Sequence, residues 1–85
     1  MSVSISHPTD RPNFSYVRIG TLSLWFSYDT VIAFATDWNT VVSENAWSTT
    51  TGKHLNYIDE GAKEARLPRA EFTARLKAVL DERGL

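Results

Sequence analysis

The stretch Trp47-Ser48-Thr49-Thr50-Thr51-Gly52-Lys53-His54-Leu55-Asn56-Tyr57-Ile58-Asp59 divides the chain. Before it, apolar residues alternate one by one, as half-buried strands require. After it, they recur at steps of three and four, the helical period. Three consecutive threonines mark the change. Their hydroxyls suit the start of a helix, where the first N–H groups have no intrahelical partner.

Downstream, Thr51, Leu55, Ile58, Ala62 and Ala65 form a single helical stripe, which predicts one helix running up to Pro68. Proline ends that helix or opens the next at its first position, where a missing N–H costs nothing. In the second helix Phe72, Leu76, Val79 and Leu80 make the apolar face. Gly84 fits a C-terminal cap and Arg83 the negative end of the helix. Glu71 and Arg75 stand at ion-pair spacing.

Upstream, Phe14–Ile19 and Leu22–Ser27 flank Gly20-Thr21, the pattern of a two-residue hairpin loop with glycine first. That turn pairs Ile19 with Leu22, Val17 with Leu24 and Tyr16 with Trp25. Tyr28-Asp29-Thr30 reads as a three-residue turn, pairing Phe26 with Ile32 and Leu24 with Phe34. A two-residue turn there would slip the register by one and reverse the faces of the next strand. Asp37-Trp38-Asn39 is the next turn, and a strand from Thr40 to Glu44 places Val42 against Phe34. One face then collects Val17, Ile19, Leu22, Leu24, Phe26, Ile32, Phe34 and Val42. Residues 1–13, with Pro8 and Pro12, read as an extended or disordered arm in which His7 is solvated. The expected fold is α+β: a four-stranded antiparallel β-meander, then two amphipathic helices packed on one face, a two-layer sandwich within residues 14–85.

Composition narrows the functional classes. An 85-residue chain is one domain that buries only about 60% of the surface its unfolded form exposes. That leaves little room for a core and a catalytic cavity together. The net charge of −1 gives no global attraction to nucleic acid or anionic lipid. The absence of cysteine excludes disulfides, thiolate metal sites and a cysteine nucleophile. No apolar run is long enough to span a membrane and no signal peptide is visible, so a cytoplasmic protein is expected.

The same pairings put Tyr16, Arg18, Ser23, Trp25, Ala33 and Ala35 on the second face of the sheet. Tyr, Trp and Arg are the residue types most enriched where proteins bind one another. Tyr16, Arg18 and Trp25, with Trp38 at the rim, are therefore the expected partner-binding residues. A different protein, the arm or a second copy of the chain could cover them. Aromatics and arginine on an open sheet also stack nucleobases, but Arg18 alone makes no phosphate groove, which weighs against nucleic acid. Thr50, Thr51, Lys53 and His54 could bind an anion at the helix N-terminus, against the simpler reading that the threonines only cap. His54 has Tyr57 and Ile58 at helical spacing, neither a good metal ligand, and no oriented nucleophile. No catalytic residue, metal or cofactor is expected. The interspersed charges of the helical half read as a solvated face. Trp47 reads as a plug at the end of the core.

The segments Trp25-Phe26-Ser27-Tyr28-Asp29-Thr30-Val31-Ile32-Ala33-Phe34 and Trp47-Ser48-Thr49-Thr50-Thr51-Gly52-Lys53-His54-Leu55 resemble a group of short, uncharacterised proteins of phages and microbial viruses. The likeness covers about residues 16–60 and transfers no catalytic residue. It implies a protein that binds and redirects a host machine, anti-CRISPR inhibitors being one such class.

Overall fold

The computed structural model describes residues 3–6, 12–37 and 39–85. Strands β1 (Val3–Ser6), β2 (Phe14–Ile19), β3 (Leu22–Ser27), β4 (Thr30–Ala35) and β5 (Thr40–Val42) precede helix α1 (Thr49–Asp59), a short 3₁₀ turn (Lys63–Ala65) and helix α2 (Arg69–Glu82). The strands form one antiparallel sheet in chain order, so the class is α+β, with five strands rather than the expected four. The fifth comes from the predicted arm: Val3–Ser6 pairs with β2, Val3 opposite Ile19 and Ser6 opposite Tyr16. The remainder of that arm, His7 included, lies outside the described residues, as does Trp38.

The first hairpin has the register that its side chains require. Ile19 faces Leu22, Val17 faces Leu24 and Tyr16 faces Trp25. Gly20 takes a φ of 61°, a conformation that costs glycine nothing because it has no Cβ. The second hairpin departs from expectation. Its turn is the two-residue Tyr28-Asp29, closed by Ser27 opposite Thr30, and Phe26 faces Val31 instead of Ile32. A bulge then absorbs the one-residue slip, so that Leu24 still faces Phe34. Ile32 is the extra residue. The third turn is also one residue off: Ala35 faces Thr40, so Phe34 meets Val41 and Val42 meets Ala33.

These shifts decide the layering. Leu22, Leu24, Phe34, Val41 and Phe72 form one buried cluster, flanked by Val17, Ile19, Phe26, Val31, Leu76, Val79 and Leu80. Phe14, Ile32, Ala33, Val42 and Leu55 form another, flanked by Trp25 and Ile58. Neighbouring residues on a strand point to opposite faces, so Phe34 and Ala33 belong to different sides. The helices therefore lie on opposite faces of the sheet, α2 on one and α1 on the other. The expected two-layer sandwich is corrected to three layers, with Ile32 and Val42 moved to the α1 side and Val31 and Val41 in their places.

Helix α1 is shorter than its predicted stripe. Glu60 (φ 56°) and Gly61 (φ 84°) turn left-handed and end it, which leaves Ala62 and Ala65 exposed and outside it. The chain then returns along β5. Leu67 N donates to Val42 O at 2.9 Å and Glu44 N to Leu67 O at 2.8 Å, a parallel bridge between Ser43 and Leu67. Asp59 ties this return to the helix: Arg66 Nε donates to Oδ2 at 2.7 Å and Nη2 to Oδ1 at 2.9 Å. Both side chains are at least nine-tenths covered. The hydrogen bond from Arg66 holds the Asp59 carboxyl below its ordinary pKa of 3.8, against the opposing effect of burial. A depressed carboxyl contributes stability above the unfolded-state value, and loses it as the pH falls through the folded value. Asp59→Asn should thus cost about 1–3 kcal/mol at pH 7. In urea titrations its deficit against the parent should shrink below about pH 4.

Helix α2 enters from Pro68. Its first N–H, on Arg69, is capped by Glu44 Oε1 at 3.1 Å, a carboxylate at the positive helix end. At the other end Leu85 N donates to Leu80 O at 2.8 Å and Gly84 N to Asp81 O at 3.1 Å, with Gly84 left-handed at φ 73°. That is the glycine cap expected there. Arg83, the C-cap residue, reaches Thr21 Oγ1 at 2.8 Å.

Candidate functional site

Helix α1 is an eleven-residue segment on a face that five strands share, and it covers only one end. Its inward stripe is Thr51, His54, Leu55 and Ile58, set against Phe14, Ser27, Ala33 and Val42. The other end of that face carries Ser4, Ser6, Tyr16, Arg18, Ser23 and Trp25, side by side in the registers of β1–β3. Tyr16 and Trp25 lie with ring centroids 5.1 Å apart and planes tilted by 50°. Tyr16 Oη is 2.7 Å from Ser23 Oγ. Arg18 is exposed, its Nε donating to Gly20 O at 3.0 Å. Trp25 is half-buried, one side packed on the α1 cluster. Three of the four expected partner-binding residues thus form one surface; Trp38 is outside the described residues.

The residues of the expected anion site do not converge. Ser48, not a threonine, is the N-cap, its Oγ accepting from Thr51 N at 3.3 Å. Lys53 is exposed, whereas Thr51 and His54 are buried against the sheet. Ser27 Oγ lies 2.7 Å from His54 Nδ1 and 2.9 Å from Thr51 Oγ1. The His54 ring stacks on Phe14, centroids 4.7 Å apart and planes within 8°. A serine hydroxyl this close to an imidazole has the spacing of a nucleophile and its base. Here Ser27 is 2% exposed and His54 1%, so neither presents itself to a substrate. The contact knits helix to sheet. Sequence reasoning treated His54 as a site residue and missed Ser27. The signal available was position: Thr51, His54, Leu55 and Ile58 are spaced three, one and three apart, a complete inward stripe.

Trp47 and Arg69 form an aromatic–cation contact. The Arg69 guanidinium sits 4.6 Å from the Trp47 ring and 5.0 Å from that of Phe72. Its Nη1 donates to Val31 O at 3.0 Å. Burial pushes its pKa down from the ordinary guanidinium value. Trp47 is 40% exposed and belongs to neither buried cluster, so it covers the Arg69 guanidinium from outside and is not the plug expected at the end of the core. Nearby, Glu44, Asn45, Asn56, Lys63 and Arg66 line an open recess of about 270 Å³. Several of its polar groups are already engaged: Asn45 Nδ2 donates to Ser48 O, Asn56 Oδ1 accepts from Arg66 Nη2 and Glu44 Oε1 accepts from Arg69 N. Among the described residues, no three His, Asp or Glu side chains gather in a way that could hold a metal ion. No helix among the described residues is long and apolar enough to cross a membrane.

Residues 6–74 match the model of a family of unknown function (DUF8033). No curated protein and no solved structure is detectably similar to the chain.

Proposed function

Because the chain belongs to this family of unknown function, we propose from its own geometry that it is a non-catalytic protein-binding module. It acts through the half-face left open beside α1. The observation that carries this reading is the Tyr16–Trp25 pair, in contact at 5.1 Å with exposed Arg18 beside it. Ring area held rigid, with a polar handle on each side chain, is what binding hot spots are made of. The flanking Ser4, Ser6 and Ser23 supply hydrogen-bonding groups without bulk. The likeness to short phage proteins adds a narrower expectation: a host protein as partner and an inhibitory, anti-CRISPR-like role in the host cytoplasm. That part rests on the sequence resemblance alone.

The test is affinity capture from a host lysate with three chains. Arg18→Glu and Tyr16→Ala alter groups outside both buried clusters, so thermal midpoints should stay within a few degrees of the parent. Each should weaken capture of the parent's partner by tenfold or more, the effect of removing about 1.4 kcal/mol. Equal capture by all three would place the interface elsewhere. Trp25→Ala is a poorer probe, because Trp25 also packs on the α1 cluster and its loss lowers stability. Salt-sensitive quenching of tryptophan fluorescence by oligonucleotides would instead favour nucleic-acid stacking on the same face.

A further inference from the structure

The two edges of the sheet are finished differently. Beyond β5, the backbone of Val42 and Glu44 is taken up by Leu67. Among the described residues, none pairs with the outer side of β1. Native edges are usually guarded by a charge, a proline or a bulge. Val3-Ser4-Ile5-Ser6 has none of these, and all four residues are exposed, Val3 to 57% and Ile5 to 69%.

The first hairpin fixes which backbone groups face outward. Its two-residue loop is closed by Ile19 and Leu22, a pair that exchanges both N–H···O bonds. Bonding direction alternates along a strand. Ile19 and Val17 therefore direct their N–H and C=O groups to β3, and Arg18 and Tyr16 direct theirs to β1. There they meet Ser4 and Ser6. The groups of Val3 and Ile5 point away from the sheet.

We propose that β1 pairs with β1 of a second copy, antiparallel about a two-fold axis through Ser4. Val3 of each copy faces Ile5 of the other, and each pair exchanges two backbone bonds. Apolar side chains meet apolar ones on the α2 side, and serine meets serine on the open side. A one-residue slip would oppose Val3 to Ser6 and turn already bonded groups toward the new strand. No charge on β1 opposes its own copy, so the segment is its own complement. A four-residue strand contact is smaller than the roughly 800 Å² per partner of a standard interface. The association is therefore reversible and grows with concentration.

The axis runs perpendicular to the sheet, so both copies turn the same face the same way. The two Tyr16–Arg18–Trp25 surfaces then lie on one side of a continuous sheet. Their β2 strands are three strand spacings apart, about 14 Å. A symmetric partner would find two sites instead of one.

The chain has no cysteine, so Ser4→Cys introduces a single thiol at the axis. Directly opposed residues of a non-bonded antiparallel pair have Cα atoms about 4.5 Å apart, within disulfide reach. Under a mild oxidant, purified Ser4→Cys should cross-link to itself at least tenfold faster than Thr40→Cys on the opposite edge. Adding Ile5→Pro deletes one outward N–H and spares the β1–β2 bonds; adding Ile5→Lys keeps every backbone group but sets a charge at the contact. Either should bring Ser4→Cys down to the Thr40→Cys rate. Equal rates for the two single variants would overturn the proposal, and so would cross-linking indifferent to both Ile5 changes. No partner protein is involved, so failure here leaves the partner-binding reading intact.

Discussion

Phe72→Ala should cost about 3–5 kcal/mol, the range for removing a fully buried aromatic side chain. Phe72 is 0% exposed, its ring is 5.5 Å from that of Phe34, and Leu22, Leu24 and Val41 complete its surroundings. It is the only residue of α2 to be fully buried, so it is the helix's main anchor, near its start, with Leu76, Val79 and Leu80 packed half-buried beyond it. The vacated volume has little to collapse into it, because the sheet beneath is held by its ladders. Domains of this kind have about 5–15 kcal/mol in total, and a small one sits low in that range. The thermal midpoint should fall by roughly 12–40 °C, at about 4–8 °C per kcal/mol. Leu76→Ala, at a half-buried position of the same stripe, should lose about half as much. Urea and thermal unfolding followed by tryptophan fluorescence would measure both.

His54→Ala should cost about 2–4 kcal/mol on the other face. It removes the ring stacked on Phe14 and leaves a cavity beneath α1. It also takes away the imidazole nitrogen 2.7 Å from Ser27 Oγ. Ser27 and Thr51, both buried, keep only each other at 2.9 Å. Stranding a buried hydroxyl costs more than its bond was worth, because nothing replaces the lost water. The double change Ser27→Ala with His54→Leu should consequently cost less than the sum of its two single changes. A coupling of about 1 kcal/mol in that cycle would identify the contact as structural. Strict additivity would mean that Ser27 and His54 do not depend on each other.

The parts of the fold that could be read from the sequence are those where local and non-local signals agreed. Gly20 named the first turn, and its apolar pairs confirmed the register. Phe72, Leu76, Val79 and Leu80 named the face of α2, and Gly84 its end. The second turn misled because Tyr28 takes a left-handed φ of 58° that glycine or asparagine would have announced. The bulge at Ile32 has no signature of its own; it exists because Leu24 and Phe34 gain more by meeting than the turn loses. The end of α1 was marked by Gly61, but two alanines at helical spacing concealed it.

The layering was the larger error, and its cause is chemical. The face under α1 mixes Ser27 and Ala33 with Phe14, Ile32 and Val42. The expected register assigns Ile32 and Val42 to the opposite face, and what it leaves does not look like a core. The inward stripe of α1 likewise carries Thr51 and His54. Two weakly apolar surfaces match each other through hydrogen bonds and one stacked ring. The binding surface was legible because strand register alone puts Tyr16 beside Trp25. What register could not reveal was the boundary of that surface, which the length of α1 sets.

The arrangement of helices on opposite faces underlies both the open half-face and its limits. Methyl and aromatic NOEs on isotope-labelled protein examine it directly. Leu55 methyls should show contacts to Ala33 and Val42, and the Phe72 ring to Leu22, Leu24 and Phe34. Contacts from Leu55 to Leu24 or Phe34 would put both helices on one side and refute the three-layer structure.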